Sequence, residues 1–512
     1  MSGDRPRLSR EVVTSPAFTA DADVELPSAA ALALPETVVQ FGTGAFLRGF
    51  ADYFIDDANR RGAFGGSVVA VSSTGSSRDT VLKEQDGLFT LAIQGIERGG
   101  AEPRRRYRVI SSVSRALSAT EEWDAVLAVA RDPAIRLVIS NTTEVGIVFD
   151  EADSFDARPP RSFPGKLARF LYERAVHFDF AAERGVIVLP CELIEENGTT
   201  LRAIVLQLVR EWKLGDRFTR WLADAVEFRN TLVDRIVPGT IPRDDAERIE
   251  RELGYRDGMI TACETYALFA IEGDAEFRAR LGFADDPRIV VATDIRPYRE
   301  RKVRVLNGGH SISVPVALLA GLGTVREATE DPLVGQFMRR AILDEIVPSL
   351  DVPDAESFAR DVLQRFANPY IRHALIDITL HQTTKMRVRV IPSVVQYTER
   401  LGQPPEALAF GFAASLAFMR GEIQVERRAA GLAVPEDREG ERIRAAWMRL
   451  EHGSESAARD FARTVCSDET LWGTDLSKLR GWCELVSENL LRIVEYGMRP
   501  ALEQHLGVST SI

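Results

Sequence analysis

Short apolar runs alternate with amphipathic stretches along the first two hundred residues of the chain. VVQFG (38–42), SVVAVS (67–72), RYRVISSVS (106–114), RLVISN (136–141) and GVIVLPCEL (185–193) are apolar, rich in β-branched residues and bounded by turn residues, which predicts strands. Between them, the stretch from about Ala45 to Arg60 and TEEWDAVLAVARD (120–132), with Thr120 as N-cap, carry helical periodicity. Strands alternating with helices predict a parallel sheet with helices on both faces. After about residue 200 the pattern lengthens into helices, TTLRAIVLQLVREW (199–212) and DRFTRWLADAVEF (216–228), with RIVVATDI (288–295) as a last strand. Beyond it, GQFMRRAILDEIV (335–347) and RDVLQRFA (360–367) typify a mainly helical remainder. The expected organisation is an N-terminal extension over 1–35, an α/β domain over 36–295 and a mainly α-helical domain over 296–512.

The chain has 512 residues, more than one ordinary core holds, which agrees with several domains. Its composition, 45% hydrophobic and 27% charged, is that of a globular protein, and a net charge of −12 argues against a general nucleic-acid binder. RRRYR (104–108) reads as a solvated strand edge. Four cysteines, Cys191, Cys263, Cys466 and Cys483, form no CxxC pair, so neither a disulfide framework nor a thiolate zinc site is expected, and a reducing compartment suits them. No apolar run reaches the ~18 residues of a membrane span. The N-terminus, MSGDRPRLSREVV, has no apolar signal-peptide core, so a cytoplasmic protein is expected.

VVQFGTGAFLRGF (38–50) places Gly42 and Gly44 directly between a strand and a helix. That is where a dinucleotide pyrophosphate meets backbone N–H groups, so a Rossmann-like doubly wound domain is expected. Leu47 replaces the third glycine of the usual fingerprint, which weakens the signal. Phe41 and Phe46 flank the turn, and Arg48 follows it as a phosphate contact or a solvated cation. Phe46 and Trp123 fit a core role as well. At the end of the second strand, VVAVSSTGSSR (68–78) offers Ser72 where an acid would hold the ribose hydroxyls, which leaves NAD and NADP both open. Asn141, ending the strand 136–141, completes the candidate cofactor set.

KVRVLNGGH (302–310) puts an amine, a carboxamide and an imidazole within one short stretch of a chain with only six histidines. On an α-helix Lys302, Asn307 and His310 would fall at roughly 0°, 140° and 80°, spread over about 12 Å of axis. Such a set suits carbonyl reduction: a lysine moves the proton, an amide N–H stabilises the oxyanion and a histidine orients the carbonyl. A charged helix start with an ordinary Asn-Gly turn fits the spacing equally well.

The K-x4-N-x2-H pattern resembles the signature of the polyol-specific long-chain dehydrogenases, the mannitol dehydrogenase family. The resemblance extends through QFGTGAFLR (40–48), SNTTEVGIVFD (140–150), SFPGKLARFLYER (162–174), LPCELIEENG (189–198), NTLVDRIVPG (230–239) and RFANPYIRH (365–373). The wording SNTTE, PCELIE-x-NG and VR-x-LNG-x-H is similar to the tagaturonate reductase branch. The resemblance implies Lys302 as general acid/base, Asn307 as oxyanion donor, His310 as carbonyl-orienting residue and Glu144 as an aid to the proton's exit. It also implies that Asn197 faces the substrate, although Leu193 stands where the mannitol branch has an asparagine. The implied reaction is NAD(P)-dependent reduction of a keto sugar acid, D-tagaturonate to D-altronate, in a cleft between the two domains and without a metal. Fructuronate reduction and mannitol-type polyol oxidation are the alternatives.

A sugar acid carries a carboxylate, which calls for a cation. PYIRH (369–373) and TLHQTTKMRVRVIPS (379–393) supply Arg372, His373, Lys385, Arg387 and Arg389, with Lys385 or Arg372 preferred; as a strand, MRVRV would put Arg387 and Arg389 on one face. Two rival readings remain. A metal-dependent hexuronate isomerase would use His310, His373 and His381, but no HxH or HxxxH occurs and the glycine turn stays unexplained. A non-catalytic nucleotide-binding protein would need no Lys302, Asn307 and His310. Cys191 beside Glu192 reads as a buried core thiol.

Overall fold

The computed structural model describes residues 5–16, 18, 23–73, 77–100, 102–142, 146–239, 241–420, 437–448 and 455–508. The chain divides into two compact units, Met1–Ile295 and Arg296–Ile512.

In the first unit six strands build one sheet: β1 (Glu36–Phe41), β2 (Ser67–Ser72), β3 (Val113–Ser118), β4 (Leu137–Ser140), β5 (Ile187–Pro190) and β6 (Glu227–Phe228). Their spatial order is 3-2-1-4-5-6 and every pairing is parallel. The near-continuous apolar character of the strands follows from burial on both faces. Val38, Val68, Leu137 and Leu189 point into one core with Phe50 and Phe54, whereas Val39, Val69, Val138 and Val188 point into another with Trp123, Phe170 and Leu201. The strand order reverses between β1 and β4, where Phe41 pairs with Ser140. Ligands of doubly wound sheets bind at such a switch point, beyond the carboxyl ends of the strands.

Local pattern and structure part company in several places. RYRVISSVS is two strands: Pro103–Ile110 pairs antiparallel with Phe89–Ile96 in a separate sheet, and only Val113–Ser118 joins the parallel one. The break falls where Ser111 donates from its N–H and hydroxyl to Asp56, at 2.9 and 3.0 Å, and Ser112 donates to the Asp52 carbonyl at 2.8 Å. The helix over 45–60 is interrupted at Phe50, between Ala45–Gly49 and Ala51–Arg60, where Arg235 takes the Gly49 carbonyl at 2.8 Å. Thr120 does not cap the next helix, Trp123–Ala130; its hydroxyl meets Ser118, and Glu122 occupies the N-cap position. RIVVATDI does supply the last strand, Ile289–Ala292, but it pairs with Leu268–Glu272 in a three-stranded sheet outside the main one. RRRYR is likewise only partly solvated, because Arg108 is buried between Glu25 and Asp57.

The second unit contains only helices among its named elements. At its centre the helix Glu406–Phe418 is buried from Ala407 to its end. Gly411 lets it approach the helix Gly308–Leu319, since a Cβ there would meet Ile312 at 2.6 Å.

Candidate active site

At the switch point the chain leaves β1 through Gly42, whose φ of +124° strains any residue with a Cβ and whose Cβ would lie 2.9 Å from the Asn141 carbonyl. Gly44 has an ordinary φ of −66° and starts the helix Ala45–Gly49, and nothing lies within 4 Å of where its Cβ would be. The two glycines therefore serve different ends, one the turn and the other open space above the backbone. Arg48 is neither solvated nor directed at that space. It is buried, donating to the Thr43 carbonyl at 2.5 Å and to the Thr261 hydroxyl at 3.0 Å, so it braces the turn from behind. Phe41 is a core residue, its ring tilted against Phe163 at 5.4 Å; Phe46 stacks on Phe50 at 5.0 Å. The Ser72 hydroxyl, ending β2, is buried and has no hydrogen-bond partner among the described residues. Asn141 ties three strand ends together, its N–H donating to the Phe41 carbonyl and its side-chain amide to the Cys191 carbonyl at 2.7 Å.

Lys302–Asn307 forms a π-helical turn inside the helical run from Arg296 to Leu319. Gly308 N–H bonds back to the Val303 carbonyl, the i→i+5 pattern of that turn. The wider turn changes the geometry expected of an α-helix. Residues five apart now sit about one turn apart, so Lys302, Asn307 and, three residues on, His310 occupy neighbouring positions along one side of the run. π-turns recur at functional sites. The two glycines between Asn307 and His310 are helical rather than a turn. A Cβ on Gly308 would meet the Arg389 carbonyl at 2.8 Å, and one on Gly309 would meet Ile342 at 2.8 Å.

The Asn307 amide and the His310 ring have no hydrogen-bond partner among the described residues, so their polar atoms on that face are uncommitted. The His310 ring lies 4.0 Å from the Phe366 ring and 5.3 Å from that of His373. Burial first, and then the charges of His373, Arg365, Arg389 and Lys385, hold its pKa well below the usual imidazole value, so the ring is neutral at pH 7. Burial also lowers His373.

Two models describe nearly all of this architecture: the mannitol dehydrogenase Rossmann domain matches residues 36–282, and the mannitol dehydrogenase C-terminal domain matches residues 294–494. The chain belongs to the mannitol dehydrogenase family. It is 43% identical to an altronate oxidoreductase of Pectobacterium carotovorum, over 92% of this chain and 96% of that protein. It is 41% identical to the altronate oxidoreductase of Bacillus subtilis, over 92% and 95% respectively. Among solved structures, Pseudomonas fluorescens mannitol 2-dehydrogenase in a ternary complex with NAD and D-mannitol superposes with a TM-score of 0.67 at 21% identity, over 98% of this chain and all of that one. A D-sorbitol dehydrogenase superposes with a TM-score of 0.76 at 21% identity, over 97% of this chain. The chain is thus a dehydrogenase/reductase built on a nicotinamide-nucleotide fold. The open space at Gly44 and the unpartnered Ser72 hydroxyl fit such a nucleotide.

Against this family background two residues differ from the expectation. Asn197 is fully buried, and its amide group donates to the Pro190 and Glu192 carbonyls at 2.9 and 3.1 Å while its oxygen accepts from the Gly198 and Thr231 N–H groups. These bonds commit it to fastening β5 to the helix Asn197–Glu211, with nothing left for a substrate. Arg372 is exposed and its charge acts on Glu327, not on His310. Lys385 does belong to the cationic group around His310, with Nζ donating to the Ile378 carbonyl at 2.8 Å. MRVRV lies mostly in the helix Gln382–Arg389, so Arg387 and Arg389 diverge: Arg387 bonds to the Thr470 carbonyl and Glu439, and Arg389 faces Ser311 at 3.4 Å. Glu144 lies outside the described residues. Among the described residues no group of three or more His, Cys, Asp and Glu side chains is arranged to hold a metal ion, and His381 is exposed.

The structure gives weight to two further residues, Glu192 and Arg389, that the sequence alone did not prefer. Glu192 is buried and accepts from Thr142 N–H at 2.9 Å and from the Ser140 and Thr142 hydroxyls, and so shapes the exit from β4. A lone acid ending the apolar run GVIVLPCEL was its signal in sequence. Cys191 beside it is a buried thiol whose pKa burial raises. Arg389 is the other, a partly buried guanidinium with no carboxylate partner among the described residues.

Proposed function

We propose that this chain is an NAD-dependent reductase of a keto sugar acid, converting D-tagaturonate to D-altronate reversibly. The observation that carries the reading is the helix face on which Lys302, the uncommitted Asn307 amide and a neutral His310 align next to the cations Lys385 and Arg389. Relatives named altronate oxidoreductase support the substrate.

A nicotinamide dinucleotide, when bound, would supply the hydride for the substrate's carbonyl carbon. Lys302 gives its Nζ proton to the carbonyl oxygen as charge develops there, and takes a proton back in the oxidative direction. Asn307 donates its amide N–H to that oxygen. His310, held neutral, donates from one ring nitrogen without adding charge that would compete with the lysine. Glu144 passes the lysine's replacement proton from solvent. Arg389 and Lys385 hold the substrate carboxylate, which distinguishes an acid from a polyol. Gly42, Gly44, Ser72 and Asn141 would hold the nucleotide, with Arg48 and Glu192 bracing the turn and strand end from behind.

Oxidation of NADH and of NADPH by purified protein, with tagaturonate, fructuronate and fructose in parallel and with EDTA added, tests the reading. Turnover of tagaturonate with NADH that survives EDTA is expected. Preference for fructuronate or fructose would overturn the substrate, preference for NADPH the cofactor, and no consumption of either with any substrate the reaction. Lys302→Ala should lose about 10²–10⁴-fold in turnover with NADH binding unchanged; normal turnover would remove the lysine from its role.

A further inference from the structure

Beneath the glycine turn lies a carboxyl group that the reaction does not use. Asp52, in the first turn of the helix Ala51–Arg60, is 0% exposed, and its neighbour Gln40 on β1 is 1% exposed. Gln40 Nε2 donates to the Gly42 carbonyl at 3.1 Å and to Asp52 Oδ2 at 3.4 Å. Both amide hydrogens are thereby committed. The two remaining oxygens, Gln40 Oε1 and Asp52 Oδ1, are each buried without a hydrogen-bond partner among the described residues. Two orphaned acceptors in one buried pair are costly, because each has given up its water without gaining a donor. A single proton removes both penalties, because a carboxylic acid and a carboxamide form a closed pair with one N–H···O and one O–H···O bond.

We propose that below neutral pH Asp52 is a carboxylic acid whose Oδ1–H donates to Gln40 Oε1, and that this buried proton holds the Gly42 carbonyl, and with it the cofactor turn, in place. The Gly42 orientation excludes the reverse arrangement, since only the amide nitrogen can serve the Gly42 carbonyl. Burial drives the acid's pKa up to about 7, against the Gln40 hydrogen bond and the charge of Arg48, which favour ionisation; Asp56 opposes ionisation and is itself paired with Arg60 at 2.6 Å. The helix N-terminus also favours the anion, and burial outweighs it. On deprotonation three acceptor oxygens would face one another. The Gln40 amide then turns to the carboxylate and releases Gly42, so Asp52 is a positioning residue that makes nucleotide affinity fall as pH rises.

The claim about affinity rests on the nicotinamide reading of the Gly42 turn, and the claim about the proton does not. Infrared difference spectra of the full chain between pH 6 and pH 9 should show a carboxylic-acid C=O band that disappears with alkali and is missing from Asp52→Asn. If that variant does not fold, Gln40→Leu serves instead and should shift the band by removing its acceptor. NADH titration by fluorescence over the same range should show a dissociation constant rising by up to about tenfold per pH unit above the transition. Asp52→Asn, whose amide reproduces the pair, should stay flat at the low-pH affinity. An unshifted acid band in both variants, or a pH slope in Asp52→Asn equal to that of the parent, would overturn the proposal. Failure to bind NADH at any pH would sink the cofactor reading, while the infrared band would still decide whether the proton is there.

Discussion

Lys302, Asn307 and His310 stand within nine residues of one another, and which cation faces them depends on one backbone geometry. Two residues apart, Arg387 and Arg389 share a face of a strand and diverge on a helix; the helix sends only Arg389 toward Ser311 and His310. Arg372, equally basic in sequence, ends up exposed beside Glu327. Arg389→Gln is therefore expected to lower kcat/KM for a keto sugar acid by about 10- to 100-fold, the worth of a charge-assisted hydrogen bond, and to leave a neutral ketose nearly unaffected. Parallel kinetics on the two substrate types check this, and an equal loss on both would make Arg389 a packing residue. Asn197 shows the converse: a polar residue in a motif-like ENG turn is wholly committed to main-chain partners, which only three-dimensional proximity reveals.

At the scale of elements, the glycines separate structure from function. Gly44 opens on space at an ordinary φ, so Gly44→Ala should melt like the parent yet bind NADH more weakly, because the Cβ occupies room meant for the pyrophosphate. Gly308 is packed 2.8 Å from the Arg389 carbonyl, so Gly308→Ala should cost about 1–3 kcal/mol in stability through overpacking. Thermal melts combined with NADH titration distinguish the two; unchanged NADH affinity in Gly44→Ala would deny the turn its cofactor role. The strands over 38–193 named from sequence were legible because apolar periodicity is a local signal, whereas Phe89–Ile96, Thr231–Asp234, Thr261–Glu264 and Leu268–Glu272 were not read as strands. The π-turn was not, since nothing in KVRVLN distinguishes an i→i+5 ladder from an i→i+4 one. The split of RYRVISSVS was hidden for a related reason: its break depends on Asp52 and Asp56, more than fifty residues away.

For the whole molecule, pH acts through buried imidazoles as well as through Asp52. His505, near the C-terminus of the helical unit, stacks on Phe410 at 4.6 Å, and burial, then the charges of Arg340 and Arg492, lower its pKa to about 4. Folding therefore favours the neutral ring, and its contribution is complete above the unfolded value of about 6.5 and is lost as pH falls toward 4. At pH 5 this one group should reduce stability by about 2 kcal/mol relative to pH 7. His505→Phe, which keeps the aromatic packing and cannot be protonated, should melt with a smaller drop between those pH values than the parent. An identical drop would assign the acid lability to His310 and His373 instead.

The sequence by itself determined the secondary-structure alphabet, the doubly wound class, the glycine turn and the chemical types gathered in KVRVLNGGH, because each is written in periodicity or in contiguous residues. Tertiary structure decided which sheet each strand joins, which arginine faces His310, that Asn197 is a fastener, and that Gln40 and Asp52 meet under Gly42. Those outcomes depend on burial and on partners distant in the chain, and a proton shared by two buried side chains has no local signature to read.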